Sequence, residues 1–347
     1  MSLTFNQRMT GFSLVEIMVG MVIGLLGFLV IMQVFSFSES RNKTTIAGDD
    51  AQNGGAIALY GLQRDIRISG FGITAPSIIG CNLALPGGWT LNSLAPVTIN
   101  HASIPAGDPN TDTLLIVYGN ANSTAEGDVI TAQPGGAIYT VQTPTSFNAN
   151  DSVISQTQAR PTPCNLTLNR VVSADVGSGN VTLATPLPGM SNGILFNLGS
   201  SPKMLAYAVR NATLTACDYL ANDCSLAASV GNSSIWVPIA SNIVSLRADY
   251  GHDAAGPMDS IVTTYNRMTP TTDCGWLRAP AIRIALVSRS NQRDGSAVTA
   301  TAPTWSGSAA APIDLSANSS WQNFRYKTFE TLVAIRNLTW QGAASGC

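Results

Sequence analysis

An apolar run near the N-terminus constrains this chain more than any other feature. Its 26 positions, from 12 to 37, contain only four polar residues, which are Ser13, Glu16, Gln33 and Ser36. A helix of that length measures about 39 Å at ~1.5 Å per residue, enough to cross a hydrocarbon core of ~30 Å. The run is longer than the apolar region of a secretory signal, and no A-x-A motif directly follows it. It therefore predicts a retained transmembrane helix.

One carboxylate, Glu16, lies near the start of this run. A lone charge in a membrane costs about 2.5–3.5 kcal/mol on insertion scales, so Glu16 needs a partner, and the helix offers no nearby cation. Cleavage between Gly11 and Phe12 would create an α-ammonium group four residues before Glu16. That amine, on this chain or on a neighbouring one, could neutralise the carboxylate. The alternatives are that Glu16 lies at the membrane interface and reaches water, or that it is protonated.

The sequence around the run predicts its orientation and its contacts. Residues 1–11 form a short polar leader with one cation and no acid, which indicates a cytoplasmic N-terminus, although two cations also follow the run. Gly20 and Gly24 form a GxxxG motif, and Gly27 follows; small residues of this kind let helices approach closely in lipid. The alternative is that these glycines have no packing role.

Composition indicates an exported domain without affinity for nucleic acid. The chain has 18 basic and 20 acidic residues, and only 11% of its residues are charged, whereas nucleic-acid binding requires a basic surface. The chain has six cysteines: Cys81, Cys164, Cys217, Cys224, Cys274 and Cys347. They favour disulfides in an oxidising compartment, and six cysteines allow 15 pairings. The short spacing of Cys217 and Cys224 makes a local bridge the best single prediction. A metal site is the rival, but CxxC is absent and the chain has two histidines.

After the apolar run, the pattern predicts more helix and then strands. Ile57, Leu62 and Ile66 are expected on one helical face, in either one kinked helix or two helices with Asp49 or Asp50 as N-cap. Strands are predicted within 112–119, 179–188, 243–251, 281–290 and 325–340. Within 243–251, the alternation places Val244, Leu246, Ala248 and Tyr250 on one face and Ser245, Arg247 and Asp249 on the other. The loops 86–111, 120–136 and 291–312 are long enough to be surface or partner-binding segments.

No residue set indicates catalysis or a cofactor. The motifs G-x-S-x-G, HExxH and GxxxxGK[ST] are absent, and His101 and His252 lie on predicted loops without a nucleophile motif. The loop "YGHDAAGPMDS" has only Asp253 and Asp259 and lacks the alternating carboxylates of a calcium loop. We therefore predict no enzyme activity, no cofactor and no metal.

The segment "GFSLVEIMVGMVI" resembles the type IV pilin N-terminal motif through Gly11, Phe12 and Glu16. The resemblance implies cleavage after Gly11 by a prepilin peptidase, methylation of the Phe12 amine, and docking of the subunit into a filament through Glu16. Four later segments resemble, in order, parts of PilW-type minor pilins: "LQRDIRISGFG", "VSLRADYG", "AIRIALVSRS" and "FETLVAIRNLTW". The residues that carry this second resemblance are Leu62, Arg64, Asp65, Arg67, Gly70, Tyr250, Gly251, Arg283, Ala285, Arg289, Arg336 and Asn337.

These resemblances imply an α+β, pilin-like fold, in which a long N-terminal helix packs on a C-terminal antiparallel β-sheet domain with long loops. The expected parts are a cleaved leader (1–11), a transmembrane and filament-core helix (12–37), its periplasmic continuation (38–72) and a disulfide-containing β-rich domain (73–347). The expected function is a minor pilin that helps initiate a type IV pilus and is incorporated in it or caps it.

The implied partners are other minor pilins, the major pilin, prepilin peptidase and the inner membrane, with a tip adhesin as a further candidate. The implied location is the bacterial inner membrane, with the C-terminal domain in the periplasm, and later the extracellular pilus. The alternatives are a minor pseudopilin of a type II secretion system and, from another class, a membrane-anchored periplasmic adhesin or enzyme.

Overall fold

The computed structural model describes residues 13–121, 123–124, 126–254, 256–339 and 347, apart from the side chains of residues 37 and 40–51. The chain divides into two compact units, Met1–Asp50 and Ala51–Cys347. The predicted cleavage position, between Gly11 and Phe12, lies outside the described residues.

One uninterrupted helix, α1 (Leu14–Ile68), contributes to both units. It continues through Gly48 and the Gly54–Gly55 pair, so the chain has one helix here and neither predicted N-cap is used. In the first unit, the stretch Leu14–Ser36 is long and apolar enough to cross a membrane, and none of it is buried. Exposed apolar side chains on every face suit lipid or other apolar helices rather than water.

In the second unit, one face of the last turns of α1 is buried. Ala58, Leu62 and Ile66 are at most 2% exposed, whereas Ile57 is 69% exposed. The prediction that Ile57 shares the face of Leu62 and Ile66 is therefore wrong. Residues four apart lie on one face of an α-helix, and Ala58 is the residue with that spacing.

The remaining elements are mostly strands. Before the barrel described below, the strands are β1 (Asn82–Ala84), β2 (Thr90–Leu91), β3 (Val97–Ile99) and β4 (Leu114–Tyr118). The next six are β5 (Asp128–Gly135), β6 (Ile138–Val141), β7 (Ser152–Gln156), β8 (Asn165–Asp175), β9 (Asn180–Leu183) and β10 (Ile194–Gly199). The last seven are β11 (Lys203–Arg210), β12 (Thr213–Asp218), β13 (Val237–Ser241), β14 (Ile243–His252), β15 (Thr264–Asn266), β16 (Ala281–Arg289) and β17 (Tyr326–Ala334). Two short helices, α2 (Asp273–Leu277) and α3 (Arg336–Thr339), and three 3₁₀ turns (Pro144–Ser146, Ala227–Ser229 and Trp321–Asn323) complete the described elements.

Two antiparallel sheets form the core of the second unit together with α1. One has the order β13-β12-β11-β4-β3 and the other the order β15-β14-β16-β17. Leu62 and Ile66 share a single apolar cluster with residues of both sheets, such as Ile116 and Leu246. All five regions predicted to contain strands do contain one, and the α+β class is consistent with this architecture.

A small closed barrel is inserted between β4 and β11, which are neighbours in the first sheet. Strands β5 to β10 follow the order β8-β7-β10-β5-β6-β9, and a further pairing between β8 and β9 closes the ring. Its interior is a separate apolar cluster that includes Tyr139, Phe147 and Val181. Strands β1 and β2 extend the sheet beyond β8, and the β1–β8 pairing is parallel. Residues 128–135, predicted as part of a loop, are the first strand of this barrel.

The segment 291–312 is not a free surface loop, as its composition suggested. Trp305 and Ala311 are buried, and they pack with Ala285 and Val287 of β16. The segment therefore covers the second face of the β14–β16 sheet. Because that face is covered, its polar side chains are buried as well, contrary to a simple inward and outward alternation.

The predicted alternation in β14 is correct except at Val244. Leu246, Ala248 and Tyr250 join the main core cluster, but Val244 packs with the residues of the opposite face. A register shift between Ile243 and Ser245 in the pairing with β16 explains the exception. An extra residue in one strand reverses the facing of the side chains before it.

Candidate functional site

The end of α1 is fixed to the first sheet by a buried carboxylate. Asp65, 1% exposed, accepts a 2.6 Å hydrogen bond from the hydroxyl of Tyr207 on β11 and a 3.5 Å contact from Tyr118 on β4. Arg64 donates its Nε to the same carboxylate at 3.0 Å. Buried carboxylates are tolerated when they are paired and hydrogen-bonded, as here. The sequence contains no local sign of this cluster, because Asp65 and Tyr207 are 142 residues apart.

The two tyrosines titrate far above their ordinary range. Burial and then the charge of Asp65 raise the pKa of Tyr118 to about 12. The same two causes, in the same order, raise the pKa of Tyr207 further. The hydrogen bond to Asp65 also raises the pKa of the Arg64 guanidinium. Both tyrosines therefore remain protonated donors, and the arginine remains a cation, throughout the neutral range.

Asn337 closes the C-terminal end of α1. Its Nδ2 donates to the carbonyl oxygens of Ile68 at 3.0 Å and Ser69 at 2.9 Å. The last carbonyls of a helix lack partners within the helix, so a side-chain donor from elsewhere satisfies them. Asn337 is the second residue of the short helix α3 just after β17, and it therefore joins the end of β17 to the end of α1.

The covered face of the second sheet contains buried ion pairs. Arg283 of β16 lies 2.6 Å from Asp249 of β14. On the neighbouring surface, Asp112 is paired with Arg267 and lies 3.6 Å from Arg247. Burial lowers the pKa of Arg247, and the charge of Asp112 opposes this shift. These pairs compensate the charges that the segment 291–312 removes from water.

The loop after β14 has an arginine at its centre. Asp253 Oδ2 accepts the backbone N–H groups of Asp259 and Ser260, and its Oδ1 lies 3.6 Å from Arg278. Arg278 also donates to the carbonyl oxygens of Gly256 and Cys347. The positive charge facing Asp253 therefore comes from the protein itself. Within the described residues, no group of three or more His, Cys, Asp or Glu side chains is arranged to hold a metal ion.

The outer face of α1 in the second unit carries three exposed apolar residues, with the exposed Arg64 among them. Ile57, Tyr60 and Ile68 are 69%, 70% and 41% exposed. They follow one another at spacings of three and eight residues, which keeps them on one side of the helix opposite Leu62. Exposed apolar residues grouped in this way mark interaction surfaces more often than isolated ones do.

The N-terminal residues predicted to dock the subunit are only partly within the described residues. Glu16 is exposed in the first turn of α1, where the free N–H groups of the helix favour a negative charge. Gly20, Gly24 and Gly27 have no other atoms near the position of an added Cβ, so the described chain leaves this side of the helix open to close approach. Gly11 and Phe12 lie outside the described part of the chain.

The six cysteines form three disulfides, between Cys81 and Cys164, Cys217 and Cys224, and Cys274 and Cys347. The second of these is the local bridge that the sequence favoured. His101 is buried rather than on an open loop, and its Nε2 lies 2.5 Å from the carbonyl oxygen of Asn92. His252 ends β14, with Nε2 3.1 Å from Asn266 Oδ1. The Nδ1 of His101 also accepts the backbone N–H of Ser103 at 3.2 Å.

These features define a class of protein: a candidate single-span membrane protein whose helix continues into a disulfide-bonded, β-rich unit. A family model described as PilW, type IV pilus-assembly protein W, matches residues 207–337. The match supports a PilW-type type IV pilus protein with a general role in pilus assembly, and the predicted resemblance is thereby confirmed. It implies interaction with other components of the pilus, and the candidate membrane helix is consistent with anchoring. No curated protein and no solved structure matches the chain in comparisons of sequence and fold.

Proposed function

We propose that the chain is a minor pilin, which helps to start assembly of a type IV pilus and is then incorporated in it or caps it. The observation that carries the proposal is that one chain combines an exposed apolar helix, with a carboxylate in its first turn, and a segment matching PilW. The role is structural, and it includes no catalysis. The expected location is the inner membrane, with residues 38–347 in the periplasm before export in the pilus.

Glu16 is the proposed docking residue. Prepilin peptidase would cut between Gly11 and Phe12, and the new amine would remain positively charged after methylation. The attraction between an amine and a carboxylate is much stronger in an apolar medium than in water. Pairing of Glu16 with the Phe12 amine of a neighbouring subunit would therefore both remove the penalty of a lone charge and set the register between subunits.

The last turns of α1 would transmit that register to the sheets. Asp65 and Asn337 hold this part of the helix to β11 and to α3. The exposed residues Ile57, Tyr60 and Ile68 would then contact neighbouring minor or major pilins, because exposed apolar side chains gain free energy when a partner covers them.

Substitution of Glu16 tests the docking role. The variant Glu16→Ala should abolish or strongly reduce surface pili, and Glu16→Gln should do the same because it removes the charge while keeping the size. Glu126→Ala, which removes an exposed acid from the second unit, is the matched control and should leave piliation unchanged. Wild-type piliation with Glu16→Ala would refute the docking role.

Two further experiments separate the alternatives. Mass spectrometry of the assembled subunit should find an N-terminus at Phe12, and an N-terminus at Met1 would contradict processing. Deletion of the chain should abolish twitching motility and leave exoprotein secretion intact, whereas the opposite phenotype would indicate a type II pseudopilin. An enzymatic activity that disappears in His252→Ala would instead support the enzyme alternative.

A further inference from the structure

A cleft of about 350 Å³ lies where the two sheets of the second unit meet. Its walls come from the loop before β4, the β11–β12 turn, the ends of β14, β16 and β17, and the segment around residue 315. Clefts of this size between layers of a fold are common ligand sites when a few polar groups converge in them. The family match alone gives this cleft no role.

Arg289, the last residue of β16, lines the cleft without a polar partner. Its guanidinium lies 4.6 Å from the ring centre of Phe324, and its Nε is buried without a hydrogen bond. Within the described residues, its side chain forms no hydrogen bond and no ion pair. Arg283, on the same strand, also has a buried Nε without a hydrogen bond, but its Nη2 lies 2.6 Å from a carboxylate oxygen of Asp249. Arg289 therefore presents to the cleft a cation without a carboxylate partner, and a ligand that supplies one would be stabilised by a charge-assisted hydrogen bond.

Both carboxylates of the cleft already accept hydrogen bonds from the protein. Asp108 accepts the backbone N–H groups of Asn211 and Ala212, both at 2.9 Å. Asp314 accepts from the side chain of Asn110 at 2.8 Å and from the backbone of Ser316. The carboxylates are therefore occupied acceptors, and Arg289 supplies a cation to the cleft. A ligand group that complements it must be an acceptor, and a carboxylate matches its planar fork of N–H donors best.

The rest of the lining includes an apolar wall and the tight turn between β11 and β12. Val244, Leu315 and Tyr326 give the cleft an apolar wall. On the opposite side, Asn211 and Ala212 both have positive φ, 51° and 56°. They form the two-residue turn of the β11–β12 hairpin, where positive φ at both central positions is the usual geometry. Asp108 holds this turn by accepting its two backbone N–H groups, and Ala212 lines the cleft.

We propose that this cleft binds a monocarboxylate that carries an apolar side chain, as the C-terminal residue of a peptide does. Arg289 receives the carboxylate, and Val244 and Leu315 receive the side chain. Asp108 and Asp314 select against ligands with two negative charges, because a second charge would face an acid without a free cation. The proposal concerns residues 51–347 only and does not depend on insertion in a pilus.

Binding to the purified full chain in detergent tests the proposal, with N-acetyl-leucine as the probe. Saturation-transfer NMR should detect binding, and the Arg Nε–Hε resonance that disappears in Arg289→Lys should shift on titration. Three other probes should each bind at least about tenfold more weakly. N-acetyl-leucinamide lacks the carboxylate, acetate lacks the apolar side chain, and inorganic phosphate carries excess negative charge. Arg289→Gln should weaken binding of N-acetyl-leucine at least about tenfold.

Arg293→Gln is the matched control, because it removes an exposed arginine from the next segment and should leave binding unchanged. Equal binding of the acid and the amide, unchanged binding in both Arg289→Gln and Arg289→Lys, or no binding at millimolar concentration would each overturn the proposal. Binding of acetate as tight as that of N-acetyl-leucine would overturn the proposal that Val244 and Leu315 receive an apolar side chain. None of these results bears on piliation, so the proposed function can fail or succeed separately.

Discussion

Removal of one hydroxyl group, in Tyr207→Phe, should destabilise the second unit by about 2 kcal/mol. The hydroxyl is buried and donates at 2.6 Å to the carboxylate of Asp65. Hydrogen bonds to charged groups contribute about 1.5–3 kcal/mol. The other donors compensate poorly, because Tyr118 is 3.5 Å away and the side chain of Arg64 is 63% exposed, which weakens its ion pair.

Tyr118→Phe is the matched comparison on the same carboxylate. Its oxygen lies beyond the usual range for an O–H···O hydrogen bond, and we expect a loss below about 0.5 kcal/mol. In an Asp65→Asn background, Tyr207→Phe should cost about half as much, because charge-assisted hydrogen bonds are about twice as strong as neutral ones. The difference is the coupling between the two residues.

Urea unfolding of the full chain in detergent, followed by tryptophan fluorescence, measures these changes. All six tryptophans lie after residue 50, so the signal reports only on the second unit. The slope with urea should be the same in all variants if each unfolds in one step. A loss in Tyr118→Phe as large as that in Tyr207→Phe, or no loss in either, would show that Asp65 does not anchor the helix through Tyr207.

Three further predictions use the same unfolding assay. Asn337→Ala should cost about 1–2 kcal/mol, because it leaves two carbonyl oxygens at the end of α1 without a donor; Asn291→Ala, an exposed site, should cost nothing measurable. Ala212→Gly should stabilise the unit by about 0.5–1 kcal/mol, since glycine adopts positive φ without strain, and a loss of stability would contradict the strain. Burial raises the pKa of Tyr250 to about 12, so its contribution is complete below the unfolded pKa of about 10 and should decline, by about 3 kcal/mol in total, as the pH rises to 12. The difference in stability between the wild type and Tyr250→Phe should therefore shrink over that window, and a constant difference would refute it.

The candidate transmembrane helix and five of the strands (β4, β9, β14, β16 and β17) could be predicted because their signals are local. An apolar run needs no partner to be recognised, and a period of two in 243–251 reports which side of its own strand each residue occupies. The prediction failed where a remote segment changed the surroundings. Arg247 and Asp249 alternate as a solvent-facing side would, yet the segment 291–312 covers them.

The candidate sites show the same division. Glu16 stands out in the sequence because a charge in an apolar run is unusual in any fold. Asp65 and Arg289 were noted in the sequence only as part of the PilW resemblance, and their roles depend on what lies near them: two tyrosines from different strands in one case, and a cleft without a carboxylate partner in the other.

The barrel depends even more on tertiary structure. Its closure requires β8 to pair with both β7 and β9, and no local pattern specifies which strands meet. Sequence periodicity thus predicted five of the seventeen described strands and most of the facing within β14, whereas long-range contacts decided which charges are paired, which distant cysteines bond and where a cleft remains open. The physical reason is that burial and pairing are properties of at least two segments, and one segment alone encodes only its half of each contact.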